Sequence, residues 1–436
     1  MSTETRLPFD KEYVNSFSKE MGEPAWLTEF RLNALANSEN LPMPKPDKTK
    51  IQNWNLTQFK NHIVGSQDYT SLAELPEEVQ ELVKTENAEQ NLYIQRNNRP
   101  AYLTLGKELQ DKGVIFTDIY TAAREHGDLL QKYFMTEAVK ADEHRLTALH
   151  AAFVNGGTFL YVPKNVEIAE PIQAVFIHDN PESALFNHVI VVAEDNSSVT
   201  YVENYFSTMD EAEGIFNIVA EVVAKANAKV RFGAVDTLAK GLTGYVNRRG
   251  KAERDARIEW ALGLMNDSDT IYENVTNLVG DGSSGDAKTV VIGKGEQKQN
   301  FTTSIVHFGK NSEGHILTHA VMKDSATSIF NGIGKIEHGA SKSNAGQESR
   351  VLMLNEKARG DANPILLIDE DDVIAGHAAS VGRVDPVQLY YLMSRGIPKV
   401  EAERLIIHGF LTPVVNALHI EGVKKQLVKV IERKVR

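Results

Sequence analysis

The 436-residue chain has no cysteine. Disulfides and thiolate metal ligation are therefore excluded, and the redox compartment cannot be read from thiols. Long apolar runs are missing too: nothing approaches the ~20 residues needed to cross a bilayer. The opening MSTETRLPFDKEYV has no basic stretch followed by an apolar one, so a soluble, cytoplasmic protein is expected. Positive charge is in deficit, with a net charge of -12. An acidic surface repels phosphate backbones, which argues against nucleic acid as a partner.

Several catalytic signatures are incomplete. His315 and His319, in HILTH, have the spacing of a metalloprotease pair but lack its glutamate. Their surroundings read as strand, where residues four apart lie ~13 Å from each other, too far to share one ion. Gly280 to Thr289, GDGSSGDAKT, lacks the contiguous Gly-Lys-Thr of a phosphate loop, and Gly293-Lys-Gly295 lacks the third glycine of a dinucleotide fingerprint. Neither ATP hydrolysis nor dinucleotide binding is expected. Thirteen histidines scattered along the chain establish no Ser-His-Asp geometry.

What remains is ordinary globular material, 42% hydrophobic and 24% charged, enough for two or three domains or one elongated repeat structure. Residues 1–145 read as an α-rich domain. Tyr13, Val14 and Phe17 fit a helix over Lys11 to Met21, and Pro24 opens a second through Trp26, Phe30 and Leu35. Pro42, Pro44 and Pro46 impose an extended connector. Acidic amphipathic helices are expected over Pro76 to Thr85 and Ile119 to Ala141, with a strand-like stretch between, Asn91 to Leu105.

Over 146–384 short apolar or alternating runs recur between turn residues, among them Thr158–Val162, Phe216–Val223, Val230–Val235, Arg257–Leu262, Asn300–Val306 and Ser328–Ile333. Helix signals between them are scarce, so a sandwich, a barrel or a β-solenoid fits. Asp281–Gly285, Asn311-Ser312 and Asn331-Gly332 have the composition of tight corners. Residues 385–436 return to helix: Asp385-Pro386 is a start signal, Gly396 a stop, and further helices are expected over Lys399–Gly409 and from Pro413 to the basic end.

One histidine stands between the strand-rich and helical parts. Ile365–Ile368 is a strand-length apolar run, the acidic cluster Asp369–Asp372 ends it, and Gly376, His377, Ala378, Ala379 and Ser380 lead to Gly382. By itself, a histidine near such a turn is solvated or hydrogen-bonded locally. This stretch resembles the SufB/SufD family of iron-sulfur cluster assembly proteins, through Asp371, Asp372, Val373, His377, Ala379, Gly382, Asp385, Ser394, Arg395, Gly396 and Ile397. GEPAWLTEFRLNAL with LPMP, and Ser328–Leu354 with Gln347 and Arg350, are similar to the same family. Where many members have cysteine this chain has Ala375, and Ala378-Ala379-Ser380 replaces Gly-Ala-Thr.

The resemblance implies a mainly β fold with helical flanks: a central right-handed parallel β-helix, an N-terminal α-rich domain and a C-terminal helical domain. It implies a non-catalytic scaffold subunit that pairs with a SufB-like subunit and docks a SufC-like ATPase through its last helices. Those helices would equally serve as a cap on the β-helix. His377 is implied as the metal or cluster ligand at the interface. Gln347, Arg350, Gly382, Arg383, Asp385, Tyr390 and Arg395 are implied as interface residues. Any iron-sulfur cluster would be transient and held in the complex, with none bound stably by this chain alone; isolated chains could pair as a homodimer. The alternatives are a purely structural partner subunit without cluster ligation, and a β-helix carbohydrate-active enzyme.

Overall fold

The computed structural model describes residues 9–65, 69–86 and 90–435. Residues 1–8, part of the stretch read above for a leader, lie outside them.

From Gly156 to Arg383 sixteen strands alternate between two sheets, two strands per turn, giving a β-solenoid of about eight turns. Pairing within each sheet is parallel and in register from coil to coil, as in Glu313–Met322 on Asn344–Met353 and Asn344–Met353 on Ile374–Arg383. Alternate residues point inward and stack on their equivalents above and below. Tyr272, Phe301 and Phe330 form such a stack, with ring centroids 4.8 and 4.9 Å apart and planes nearly parallel.

One corner repeats a single backbone device. Asn165, Asn196, Asn227, Asp255, Gly282, Asn311 and Lys342 all have φ between 54° and 70°, a region that asparagine, aspartate and glycine enter at least cost. Side chains add a ladder: Asn227 donates to Asn196 and Asn196 to Asn165, both at 3.0 Å. Asp281 and Asn311 thus sit at corners as expected. Asn331-Gly332 does not: it lies inside the strand Thr327–Ile336. There a Cβ on Gly332 would stand 2.4 Å from Gln347 Oε1, so the glycine makes room inside the coil rather than a turn.

Two strands escape the sequence pattern, Lys240–Ala252 and Asp269–Leu278. Their inward positions include Arg248 and Asn274, in register with each other. Arg248 bonds the carboxylate of Glu203 at 2.8 Å, both side chains fully buried. Removing either partner would leave a buried charge unpaired.

The first part of the chain is built onto the solenoid. Helices form at Lys11–Glu20, Ala25–Ser38 and Glu77–Glu86. The expected long helix after Ile119 is instead two, Ile119–Glu125 and Gly127–Tyr133, divided at His126. Leu92–Arg96 and Arg99–Thr104 form a hairpin whose first strand continues the ten-stranded sheet, and Ile115–Asp118 pairs antiparallel at the start of the nine-stranded one. The proline-rich connector runs irregularly along the solenoid: Asn300 bonds the Asp47 carbonyl at 2.8 Å, and Lys48 bonds Asn363 in the last coil at 2.6 Å.

A buried polar chain fastens this layer. His150 Nε2 lies 2.8 Å from His188 Nδ1, and His188 Nε2 lies 2.9 Å from Glu221 Oε1. The Glu221 carboxyl also accepts backbone N–H bonds from Met135 at 2.7 Å and Val139 at 3.0 Å. Burial pushes the Glu221 carboxyl up to about 7, against those N–H bonds and Lys140, and pushes His188 down to about 3.

The last helices, Pro386–Ser394, Lys399–Asn416 and Glu421–Val435, follow the strands. Pro413 lies within the second rather than opening the third. The module does not stand apart from the solenoid. Ile407, Leu411, Val414, Val423 and Leu427 pack on outward residues of the ten-stranded sheet, including Val202, Val235, Val290 and Val321. These helices lie along the side of the coils and leave the final coil uncovered.

Candidate functional site

That uncovered end is the candidate site. Arg359–Ile368 and Ile374–Arg383 are the terminal strands of their respective sheets. Each therefore presents one row of backbone N–H and C=O groups without a strand partner among the described residues. Exposed apolar side chains accompany them: Ile365, Leu367 and Ile368 on the first and Val381 and Ile374 on the second, Ile374 being 71% exposed.

His377 lies at the middle of the last strand, not near a turn as its small neighbours suggest. Pairing with Asn344–Met353 imposes the extended conformation, and His377 is matched to Gln347. Gln347 belongs to the inward column that continues through Ile316 to Ala287 and Trp260. His377 thus occupies an interior position, but no coil follows it, so its ring is exposed. Beneath it, Gln347 donates from Nε2 to the Ile365 carbonyl at 3.0 Å, across the coil. Its Oε1 is buried without a hydrogen-bond partner among the described residues.

The acidic cluster forms the corner between the two terminal strands. Glu370 accepts a 2.8 Å bond from the Gly339 backbone, which holds its carboxyl below the ordinary range. The Asp372 carbonyl accepts from Lys342 N–H, continuing the corner described above.

The other sequence-derived residues separate into groups. Arg350 lies on the outward face, ion-paired with Glu348 at 2.5 Å, and so does not share the face of His377. Gly382 is on the edge strand, with no atom within 4 Å of where a Cβ would stand. Arg383 donates to the Glu356 carbonyl at 3.3 Å. Asp385 is the N-cap of Pro386–Ser394, accepting from Val387 N–H at 2.8 Å, which is a local role. Tyr390 is 72% exposed. Arg395 stacks on Tyr391 with its guanidinium 5.1 Å from the ring centroid. The helix carrying these two tyrosines buries none of its residues. Together with the strand edges it makes a mixed apolar and polar surface, whose exposed apolar part, Ile365–Ile368, sequence reasoning missed because the run reads as core when taken in isolation.

Among the described residues no group of three or more His, Asp or Glu is arranged to hold a metal ion. His315 and His319 both face outward on one strand, and His319 Nδ1 is bonded to the Phe410 carbonyl at 2.9 Å. Asp281–Ser283 is a corner that leads into a strand, not into the helix a phosphate loop requires. His377 offers a single exposed imidazole on this end, outside any such group among the described residues. Among the described residues no helix is long and apolar enough to cross a membrane.

Comparison with known proteins agrees with this architecture. Residues 176–410 match the model of the SUF system FeS cluster assembly SufBD core domain, and residues 17–174 match that of the SufBD protein N-terminal region. The iron-sulfur cluster assembly protein SufD of Bacillus subtilis is 68% identical, over the full length of both chains. An iron-sulfur cluster assembly SufBD family protein of Staphylococcus epidermidis is 29% identical, covering 94% of this chain and 89% of its own. One from Staphylococcus aureus is 28% identical over the same shares.

Proposed function

The chain belongs to the SufBD family of iron-sulfur cluster assembly proteins, and from that membership we propose that it is a non-catalytic scaffold subunit whose open solenoid end pairs with a SufB-like partner. Two edge strands, exposed apolar side chains and a centrally placed imidazole on one end support this reading. Backbone hydrogen bonds across an edge give affinity, and alternate side chains give specificity. The helices that follow, with Tyr390 and Val387 exposed, are the surface offered to a SufC-like ATPase.

In the paired state His377 would lie between the two solenoids. A neutral imidazole binds iron less firmly than a thiolate does, which suits a site that must release its product. The nascent cluster is cargo, and this chain contributes one donor at most. The test is His377→Ala in a complex assembled with SufB- and SufC-like partners. Pairing and stability are expected to be unchanged, since the ring is exposed, while the rate of cluster formation falls. An unaltered rate would remove the ligand role and leave a structural subunit, the reading that the solitary position of His377 otherwise favours.

A further inference from the structure

The proline-rich connector, residues 42–50, reaches the last coil of the solenoid through one side chain. Asn300, on the strand Lys298–His307, donates from Nδ2 to the Asp47 carbonyl at 2.8 Å and to Thr49 Oγ1 at 2.7 Å, and so grips the connector on both sides of Lys48. In the nine-stranded sheet that strand is followed by Thr327–Ile336 and then by the terminal Arg359–Ile368. Lys48 Nζ passes beyond the first of these and donates to Asn363 Oδ1 on the second at 2.6 Å. Asn363 Nδ2 donates in turn to Asn331 Oδ1 at 3.0 Å, and Asn331 Nδ2 to Thr302 Oγ1 at 3.4 Å, along one outward column that leads back to the gripped strand.

Lys48 is held there against local preference. The Thr49 N–H closes a turn on the Pro46 carbonyl at 3.3 Å, and Lys48 is the third residue of that turn, with φ at 54°. Glycine or asparagine enters that region at least cost. A backbone outlier that persists where its side chain makes a long-range contact points to a role for the contact. Pro44 and Pro46 stiffen the approach, so the amine arrives with little freedom left to lose.

The two edges of the open end differ accordingly. Arg359–Ile368 is tied from outside by Lys48 and from inside by Gln347, which donates to the Ile365 carbonyl. Among the described residues, Ile374–Arg383 has a side-chain hydrogen bond only at its last residue, from Arg383 to the Glu356 carbonyl. Its outward positions Gly376, Ala378 and Gly382 offer little or no side chain to hold.

We propose that the connector is a clip: Lys48 holds the terminal strand Arg359–Ile368 in register on the coil below while the open end is unpaired, so that this edge stands ordered and its neighbour, Ile374–Arg383, opens more readily. An edge ordered beforehand loses less conformational freedom when a second chain joins it. That use rests on the pairing proposed above; the ordering itself belongs to the single chain and is measured without a partner.

Hydrogen exchange of the full chain, read by mass spectrometry, tests it with Lys48→Gly and Lys48→Met. Glycine relieves the turn and removes the amine, whereas methionine keeps most of the stem and removes the amine alone. Both substitutions are expected to lower the protection of Arg359–Ile368 about threefold or more, the scale of one exposed charged hydrogen bond, and to leave Asn344–Met353 unchanged, because a terminal strand opens locally. In the unsubstituted chain Ile374–Arg383 should be less protected than Arg359–Ile368. Unchanged protection of Arg359–Ile368 in either variant overturns the proposal, as does a loss spread evenly over the preceding coils. Equal protection of the two terminal strands in the unsubstituted chain overturns it as well.

Discussion

Replacing Glu221 by glutamine should change how stability depends on pH, in a direction set by counting protons. Three hydrogen bonds link Glu221 to His188, His188 to His150, and His150 Nδ1 to the Asn217 carbonyl at 3.2 Å. Asn217 Nδ2 is committed to the Leu146 carbonyl at 2.9 Å, so its Oδ1 also faces His150. His150 Nδ1 must then donate, His188 Nδ1 must donate to His150, and Glu221 must donate to His188. Three protons are required, one more than two neutral imidazoles carry. The extra proton belongs on Glu221, since burial pushes His188 down to about 3 and Glu221 up to about 7.

Between its ordinary 4.5 and about 7, the folded chain holds a proton that the unfolded chain has released. This carboxyl's contribution is therefore complete at low pH and lost as pH rises through 7, about 3 kcal/mol in all at about 1.4 kcal/mol per pH unit. His188 acts in the opposite sense, costing stability as pH falls from 6.5 towards 3, but it is common to both chains and cancels in their difference. Glutamine can donate to His188 and accept from Val139, leaving the Met135 N–H without an acceptor at a cost of about 1–3 kcal/mol. In urea titrations Glu221→Gln should be less stable than the unsubstituted chain near pH 5, and the gap should close or reverse by pH 8. A gap that does not vary with pH would refute the assignment of the proton.

Two further outcomes follow from packing. Ile374→Lys on the edge strand should change the chain's own stability by less than about 0.5 kcal/mol while weakening pairing with a SufB-like partner, read by co-purification and titration calorimetry; unchanged pairing would place the interface elsewhere. Gly263 lies under the last helix, where a Cβ would stand 2.2 Å from Leu427 Cδ2. Gly263→Val should cost about 1–3 kcal/mol by overpacking and raise hydrogen exchange in Glu421–Val435, with the N-terminal helices unaffected.

Much of the solenoid was legible because most coils bury apolar residues in short runs, as at Val189–Val192 and Val230–Val235. It failed where the interior is polar. Arg248, Asn274 and Thr276 face inward, so Lys240–Ala252 and Asp269–Leu278 show no clean alternation. The family resemblance located His377, yet its neighbours Gly376, Ala378 and Ala379 favour a turn by composition, and only pairing with the preceding coil extends them. Arg350 and His377 were both assigned to the implied interface, and a parity of one residue along paired strands puts them on opposite faces.

The two termini of the solenoid differ in a way that limits stoichiometry. At its beginning the sheets finish in the antiparallel strands Arg99–Thr104, which contains Pro100, and Ile115–Asp118, only four residues long. Neither offers a long parallel template for another coil. A molecule with one adhesive end and one blunt end cannot propagate head to tail into a fibre. If the open end pairs as proposed, association through it stops at two bodies, whether the second is a copy of the chain or a relative.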